Sequence, residues 1–408
     1  MLIYRIILIT LSPVIIGYFL WLSMRNHQSR FFWQRLGFKY SHLPKDSLWF
    51  HCASVGEVNT LLPLLKNIHK KNDWLKIIIT SNTITGGKIV KQQKLDYLFH
   101  SYLPFDWLFA TKRFLSCVQP ASLHVMETEI WPNLFTACFN RNIPVFLINA
   151  RLSRKTTTAN TWVKSLLKSS LSKVTAIYAR DEKNAQAFKK LGAKEQTITT
   201  TGNLKLTSAI PDIQGDTAVN IAIDRKYVLL ASTHKDEEIQ IFNLWKELAR
   251  NELLIIAPRH PERSAAIIKQ LKCNNVAMRS QNQEITPQTE VYLLDTVGEL
   301  KNYFKNAELV VMGGSFIPVG GHNILEPACT NSAIITGPYM ENFNEELALM
   351  LDKEAIIQVR SIKELKQQLI KLLHDDDYRN TLKHNTAKLS QNTKKILSDY
   401  TGLILATE

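Results

Sequence analysis

Met312–Ala328 reads MGGSFIPVGGHNILEPA and follows the apolar run Ala307-Glu308-Leu309-Val310-Val311. A short apolar run that ends on glycine has the pattern of a buried strand. Two glycine pairs, Gly313-Gly314 and Gly320-Gly321, then enclose Ser315-Phe316-Ile317-Pro318-Val319. Glycine permits positive φ and close approach, so the pairs describe a loop wrapped tightly around something. The next residues, His322-Asn323-Ile324-Leu325-Glu326-Pro327-Ala328, can start a helix. Its first turn would point N–H groups and the positive dipole end into the loop, a geometry that suits phosphate. Glycines that serve only tight packing would give the same strand–loop–helix element, so the rest of the chain must choose between these readings.

Outward from this loop the chain alternates apolar runs with amphipathic stretches. Strands are expected at Ser47–His51, Leu75–Thr80, Ser122–Met126, Val145–Ile148 and Ala176–Ala179, and in a second set at Tyr227–Ala231, Leu253–Ala257, Val291–Leu294, Leu309–Met312 and Ala333–Thr336. Helix-like segments such as Val58–His69, Asn184–Leu191, Glu237–Ala249 and Pro261–Gln270 follow most of them. That alternation is the pattern of parallel α/β sheets. Between the two sets, residues 208–224 (SAIPDIQGDTAVNIAID) collect Pro, Gly and turn formers and form the best linker. The economical architecture is two Rossmann-like domains joined once. No internal repeat or low-complexity tract revises it.

A chain of 408 residues can bury cores of this size. Its 50 Lys+Arg against 36 Asp+Glu give a formal charge of +14, which favours polyanionic or phosphorylated partners. Zinc-finger spacing, RNP-type aromatics and long basic runs are missing, so nucleic acid is disfavoured. Five scattered cysteines without a CxxC fit a reducing compartment better than a disulfide framework or a metal site. Leu2–Leu22 is apolar apart from Arg5 and long enough to cross a bilayer. Arg25, Arg30, Arg35 and Lys39 follow it, which places the bulk of the chain on the cytoplasmic side. A cleaved export signal is disfavoured, because WLSMRNHQ offers no small-x-small site. An uncleaved anchor is expected, either spanning the membrane or lying in its interface.

Ligands of parallel sheets sit at the carboxyl ends of strands, so the chemistry should lie in the loops there. Ser54-Val55-Gly56-Glu57 opens a helix, and Glu57 in its first turn either complements the dipole or acts on a substrate. Glu127 and Glu129 directly follow a presumed buried strand, a costly place unless they are solvated, paired or used. Arg151 and Lys205 lie in later loops, where solvated surface charge is the usual fate. In the second half, Pro258-Arg259-His260-Pro261 makes a rigid basic corner suited to phosphate. Acids thus gather in the first half and phosphate-type donors in the second. A cleft between the two would set a base opposite a phosphorylated leaving group. Neither a Walker A loop nor a proper GxGxxG is present, which removes ATPase and dehydrogenase readings.

Taken together, WFHCASVGEV, METEIWPNL, NARLS, GNLK, STH, PRHPER, DTVGEL and GGSFIPVGGHNILEPA resemble the motifs of the 3-deoxy-D-manno-octulosonic acid (Kdo) transferases. They run in that family's order from about Trp49 to Ala328. The resemblance implies a GT-B α/β fold: two Rossmann-like domains facing across a cleft, with an N-terminal membrane-anchoring helix. The divisions expected are residues 1–25 for the anchor, 26–207 for the acceptor domain, 208–224 for the linker and 225–408 for the donor domain. The last helix is able to pack back on the first domain.

The implied reaction is inverting transfer of Kdo from CMP-Kdo to the lipid A precursor (lipid IVA), with neither metal nor cofactor, at the cytoplasmic face of a bacterial inner membrane. Glu57 matches the family's general base, and Glu127 and Lys205 match residues assigned to the transition state, with Glu129 an alternative to Glu127. Pro258, Arg259, Val297, Gly298, Glu299, Asn323, Ile324, Leu325 and Glu326 match the CMP site. The chain departs from the family at Asp236, where Gly is usual, at Thr207, where Asp is usual, and at Arg154-Lys155-Thr156, where a second Arg-Ser pair is usual. These touch the edges of motifs. The rivals are a GT-B enzyme with another nucleotide-sugar and a non-catalytic nucleotide-binding membrane scaffold.

Overall fold

The computed structural model describes residues 1–209, 223–248 and 251–406, so residues 210–222 of the expected linker lie outside the described residues. The chain divides into two compact units, 1–208 with 395–408, and 209–394. The first contains a seven-stranded parallel sheet. Its strands are β1 (Leu48–Cys52), β2 (Ile77–Ser81), β3 (Leu98–Tyr102), β4 (Ser122–Met126), β5 (Val145–Ala150), β6 (Ala176–Ala179) and β7 (Ile198–Thr200). They run in the order β3-β2-β1-β4-β5-β6-β7. The second unit repeats the plan with β8 (Tyr227–Thr233), β9 (Leu253–Pro258), β10 (Val276–Met278), β11 (Val291–Leu293), β12 (Leu309–Met312), β13 (Ile334–Thr336) and β14 (Ile357–Gln358). Their order is β10-β11-β9-β8-β12-β13-β14.

The ten inner strands are those the sequence predicts, within a residue or two at each end. Those it leaves out, β3, β7, β10 and β14, are the four sheet edges. Inner strands of a parallel sheet are covered on both faces and read as continuous apolar runs. Edge strands have one hydrogen-bonded neighbour and less cover: β7 is Ile-Thr-Thr, and β14 is two half-buried residues. In β3, Leu98-Phe99-His100-Ser101-Tyr102, polar residues break the run.

Each sheet builds its own core. Trp49, Phe114, Val125, Phe135 and Leu147 are fully buried in the first, and Leu230, Phe242, Ile256, Val311 and Leu369 in the second. Removing one such side chain from water is worth about 1.5–3 kcal/mol. The helices expected from Val58 and Asn184 start two or three residues earlier, where local signals set their ends. Ser54 caps Val55–Lys71 by accepting from the Glu57 amide, and Asp181 caps Glu182–Leu191, which closes on Gly192 at φ +100°. Asp236 sits at φ +76° immediately before the Glu237–Glu247 helix. That left-handed backbone suits glycine better and puts a small strain on the aspartate.

The apolar amino-terminal segment forms one helix, Leu2–Arg25. Among the described residues it is the one helix long and apolar enough to cross a bilayer.

Candidate active site

In each sheet the chain reverses its direction of winding between two adjacent central strands, β1 and β4 in the first and β8 and β12 in the second. Open α/β sheets bind ligands at this point, outside the carboxyl ends of the strands.

In the first unit the loops after β1 and β4 bring three carboxylates together. Glu57 lies in the first turn of the Val55–Lys71 helix, where its Oε2 accepts from the Ala53 amide at 2.8 Å. Its Oε1 accepts from the Ser54 hydroxyl at 3.0 Å, and its own amide donates to that oxygen at 3.3 Å. The arrangement is a variant of the capping box. Capping is therefore part of what Glu57 does, but it does not make the carboxyl an ordinary one. Burial pushes it up to about 7, against the Ala53 amide and the Ser54 hydroxyl, and the negative Glu127 and Glu129 push it further.

Glu127 follows β4 directly at φ +56° and is 6% exposed. Its Oε2 accepts from Arg151 Nε at 2.6 Å, and its amide donates to Ile148 O. The sequence left Arg151 open as a solvated charge; the structure makes it the partner of a buried carboxylate. Only the adjacency of β4 and β5 brings the two together, and no local signal announces it. Glu129 accepts from Asn82 Nδ2 at 3.5 Å, and its Oε2 lies 3.9 Å from Nε2 of His51, a fully buried ring on β1.

Lys205 belongs to the short turn Leu204–Ala209. Asn149, the penultimate residue of β5 at φ +50°, accepts from the Leu204 amide at 3.0 Å. The Asn149 amide in turn donates to Tyr400 Oη at 3.2 Å. Asn149 thus ties Lys205 to the same end of the sheet as Arg151.

In the second unit the glycine loop closes on itself and on the loop after β8. Glu237, fully buried, accepts from the Gly314 amide at 2.7 Å, the His234 amide at 2.8 Å and the Phe316 amide at 3.0 Å. No local motif marks Glu237, yet its carboxylate takes two of the loop amides that a phosphate could have used. The glycines are required. A Cβ on Gly313 would lie 2.6 Å from Thr233 Cα, and one on Gly314, at φ +65°, 2.7 Å from His322 Cδ2. Gly320 and Gly321 also have positive φ, at +91° and +78°. The following helix is only Leu325–Cys329, and Asn323 Oδ1 accepts its first amide, from Leu325, at 3.1 Å. Asn323 Nδ2 also donates to Glu326 Oε1 at 3.2 Å.

Three histidines of this unit gather at the same switch point. His234 and His322 stack at 5.0 Å with their Nε2 atoms 2.8 Å apart, and the His260 ring meets His234 edge-on at 5.7 Å. Two facing Nε2 atoms at that distance share one proton between them, so the pair resists double protonation. Burial pushes His322 down to about 4, and His234, Arg259 and His260 add to the fall. His234 is lowered by burial and by His260, Arg263 and Arg259, with Glu238 opposing. The sequence marks His260 and Arg259 but not the His234–His322 pair, whose members come from different loops.

Pro258 ends β9, and the exposed Arg259 donates its amide to Thr233 O at 2.9 Å. Val297-Gly298-Glu299 follows β11, on the outer side of β9. There Val297 is 87% exposed and Gly298 has φ +88° with open space around it. Arg279 holds Glu299 by two bonds of 2.9 Å, which keeps that carboxyl below the usual range.

Residues 30–208 match the family described as 3-Deoxy-D-manno-octulosonic-acid transferase (kdotransferase). The chain is 32% identical over 385 residues to the 3-deoxy-D-manno-octulosonic acid transferase of Haemophilus influenzae, covering 91% of this chain and 90% of that one. This chain belongs to the Kdo transferase family. A Rickettsia typhi member is also 32% identical, over 88% of this chain and 79% of its own length. The fold of this Kdo transferase is shared more widely. UDP-GlcNAc 2-epimerase from Neisseria meningitidis superposes with a TM-score of 0.53 at 14% identity, covering 88% of this chain and 99% of that one. The architecture is the two-sheet α/β class of GT-B glycosyltransferases, as the motifs implied.

Proposed function

We propose that the enzyme moves Kdo from CMP-Kdo to a lipid A precursor with inversion, using Glu57 as the general base. The observation that carries this reading is a carboxyl raised to about 7 at the switch point of the first sheet. A base poised near the working pH is half ionised, so it can both accept a proton and drive its transfer. Glu57 takes the proton of the attacking sugar hydroxyl as that oxygen closes on the anomeric carbon of Kdo. CMP departs with the electron pair of the cleaved bond. Glu127, fixed by Arg151, supplies preorganised negative charge for the oxocarbenium-like centre, with Glu129 the alternative. Lys205 offsets charge on the Kdo carboxylate or the leaving phosphate.

CMP is assigned to the second unit. Arg259 supplies positive charge, and the neutral His234–His322 pair and His260 offer ring N–H groups, to a phosphate placed among them. Glu326 and Asn323 suit ribose hydroxyls, with Ile324 and Leu325 lining the site beside Pro258. Val297, Gly298 and Glu299 offer an exposed apolar contact and backbone groups to the base. The acceptor's acyl chains stay in the bilayer, so the work is assigned to the cytoplasmic face of a bacterial inner membrane, where the apolar amino-terminal helix and the +14 charge favour anionic lipid.

Mass spectrometry of the lipid product after incubation with tetraacyl precursor and CMP-Kdo tests this. The expected product is heavier by one or more Kdo residues. An unchanged acceptor, with turnover restored by a UDP- or ADP-sugar, would assign the enzyme to another donor. Activity lost in Glu57→Gln with the fold intact separates a transferase from a nucleotide-binding scaffold.

A further inference from the structure

The Leu2–Arg25 helix is apolar on every side, which composition alone cannot distinguish from a membrane-spanning segment. Its contacts distinguish the two. At its start, Tyr4 Oη donates to Asp106 Oδ2 at 2.9 Å and Arg5 Nε donates to Asn133 Oδ1 at 2.9 Å. Asp106 is buried and also accepts from the Asn133 and Leu134 amides at 2.9 and 2.7 Å, so it is an integral part of the folded first unit. Further along, Leu8, Ile15 and Ile16 pack on Phe105, Trp107 and Ala110. Phe19 and Leu22 pack on Phe31, Ile84 and Tyr102. Phe19 meets Phe105 edge-on at 4.9 Å.

From Tyr4 to Leu22 a helix rises roughly 27 Å, close to the whole hydrocarbon thickness of about 30 Å. If the helix stood along the bilayer normal, the Tyr4 and Arg5 partners would lie at the far face while those of Phe19 and Leu22 lay at the near one. A water-soluble sheet with polar loops cannot occupy that depth. With these contacts made, the helix lies flat along its own domain.

The docked face recurs at 4, 5, 8, 15, 16, 19 and 22. The opposite face, including Leu2, Ile6, Ile9, Val14, Trp21 and Met24, is exposed. Thr10 on this stripe donates its hydroxyl back to Ile6 O at 3.0 Å, so the stripe presents an apolar contact surface along its length. Exposed Phe109 and Trp33 lie on elements that adjoin the docked face: Phe109 stacks on Trp107 at 5.8 Å, and Trp33 precedes Leu36 by three positions. Cations accompany the aromatic residues at the carboxyl end. Arg25 sits 5.3 Å from the Trp21 ring centre, and Lys39 sits 5.7 Å from that of Trp33. Tryptophan beside Arg or Lys is the composition of the headgroup layer, where the ring is half-immersed and the cation meets lipid phosphate.

We propose that the Leu2–Arg25 helix lies in the plane of the membrane, sunk by its exposed stripe into one leaflet of an anionic bilayer and holding the first unit flat on that surface. Both apolar faces are then used, one against protein and one against acyl chains, which is why no polar face is needed. The proposal rests on the membrane association proposed above and refines it: the enzyme is monotopic, and its amino terminus remains on the same side as the rest of the chain.

The test uses the full chain with a short protease-cleavable epitope ahead of Met1 and a different one after Glu408. It is expressed in a Gram-negative host and digested in intact spheroplasts and in inverted inner-membrane vesicles. The expected result is loss of both epitopes in inverted vesicles and retention of both in spheroplasts. Loss of the amino-terminal epitope alone in spheroplasts means that the helix spans, and overturns the in-plane geometry while leaving membrane association standing. Protein that fails to float with the vesicles overturns both.

Discussion

Glu57 carries the chemistry proposed here, and its titration exposes that role to measurement. The perturbation is a change of pH from 6 to 8 on the intact enzyme. A carboxyl at about 7 is roughly one-tenth ionised at pH 6 and roughly nine-tenths at pH 8, whereas one at the ordinary 4.5 is ionised throughout. With ionised Glu57 as the reactive form, kcat/KM should rise about tenfold over this interval and level off above it. The assay is initial-rate transfer from CMP-Kdo to detergent-dispersed tetraacyl acceptor. Glu127→Gln removes a negative neighbour that helps to raise Glu57, so the limb should move to lower pH while turnover falls. Glu57→Gln keeps an acceptor for the Ala53 amide but cannot take a proton, and should lose about 10²–10⁴-fold in kcat.

The linked effect on stability has a definite sign. A carboxyl raised on folding from 4.5 to about 7 contributes stability that is present below pH 4.5 and lost as pH rises through 7. Glu57→Gln should therefore gain in melting temperature over the wild type at pH 8 relative to pH 4. A flat wild-type profile between pH 6 and 8, or a Glu57→Gln enzyme within about tenfold of wild type, would falsify the assignment.

Arg151→Met leaves Glu127 buried and unpaired; because Arg151 is 36% exposed, the cost is set at about 1–3 kcal/mol in urea unfolding, with kcat reduced as well. Gly314→Ala sets a methyl 2.7 Å from the His322 ring on a backbone at φ +65°, so the loop must shift; the donor KM should rise more than kcat falls, and thermal unfolding should show about 1 kcal/mol of lost stability. His322, held at about 4, should be raised by a bound phosphate. CMP binding should then take up protons between about pH 4 and 6.5 and strengthen as pH falls. Calorimetry in buffers of different ionisation enthalpy reads that uptake directly, and its absence would place the phosphate elsewhere.

Much of this protein is legible from its residues alone. The ten inner strands are apolar because a parallel sheet covers both their faces, and the glycine pairs follow from backbone conformations and contacts that a Cβ would not permit. Ser54 and Glu57 announce a helix start at four-residue range. The motif order then carries the family. What the sequence does not carry depends on strand order, because the atoms concerned lie far apart in the chain. Arg151 reaches Glu127 only since β5 lies beside β4, and Glu237 reaches Gly314 only since β8 lies beside β12. The edge strands escape notice because β3 and β7 carry polar residues and β10 and β14 are only three and two residues long. For the amino-terminal helix, hydropathy identifies a segment that avoids water but not its direction. The direction is decided by two polar contacts, Tyr4 with Asp106 and Arg5 with Asn133, whose partners are more than a hundred residues away.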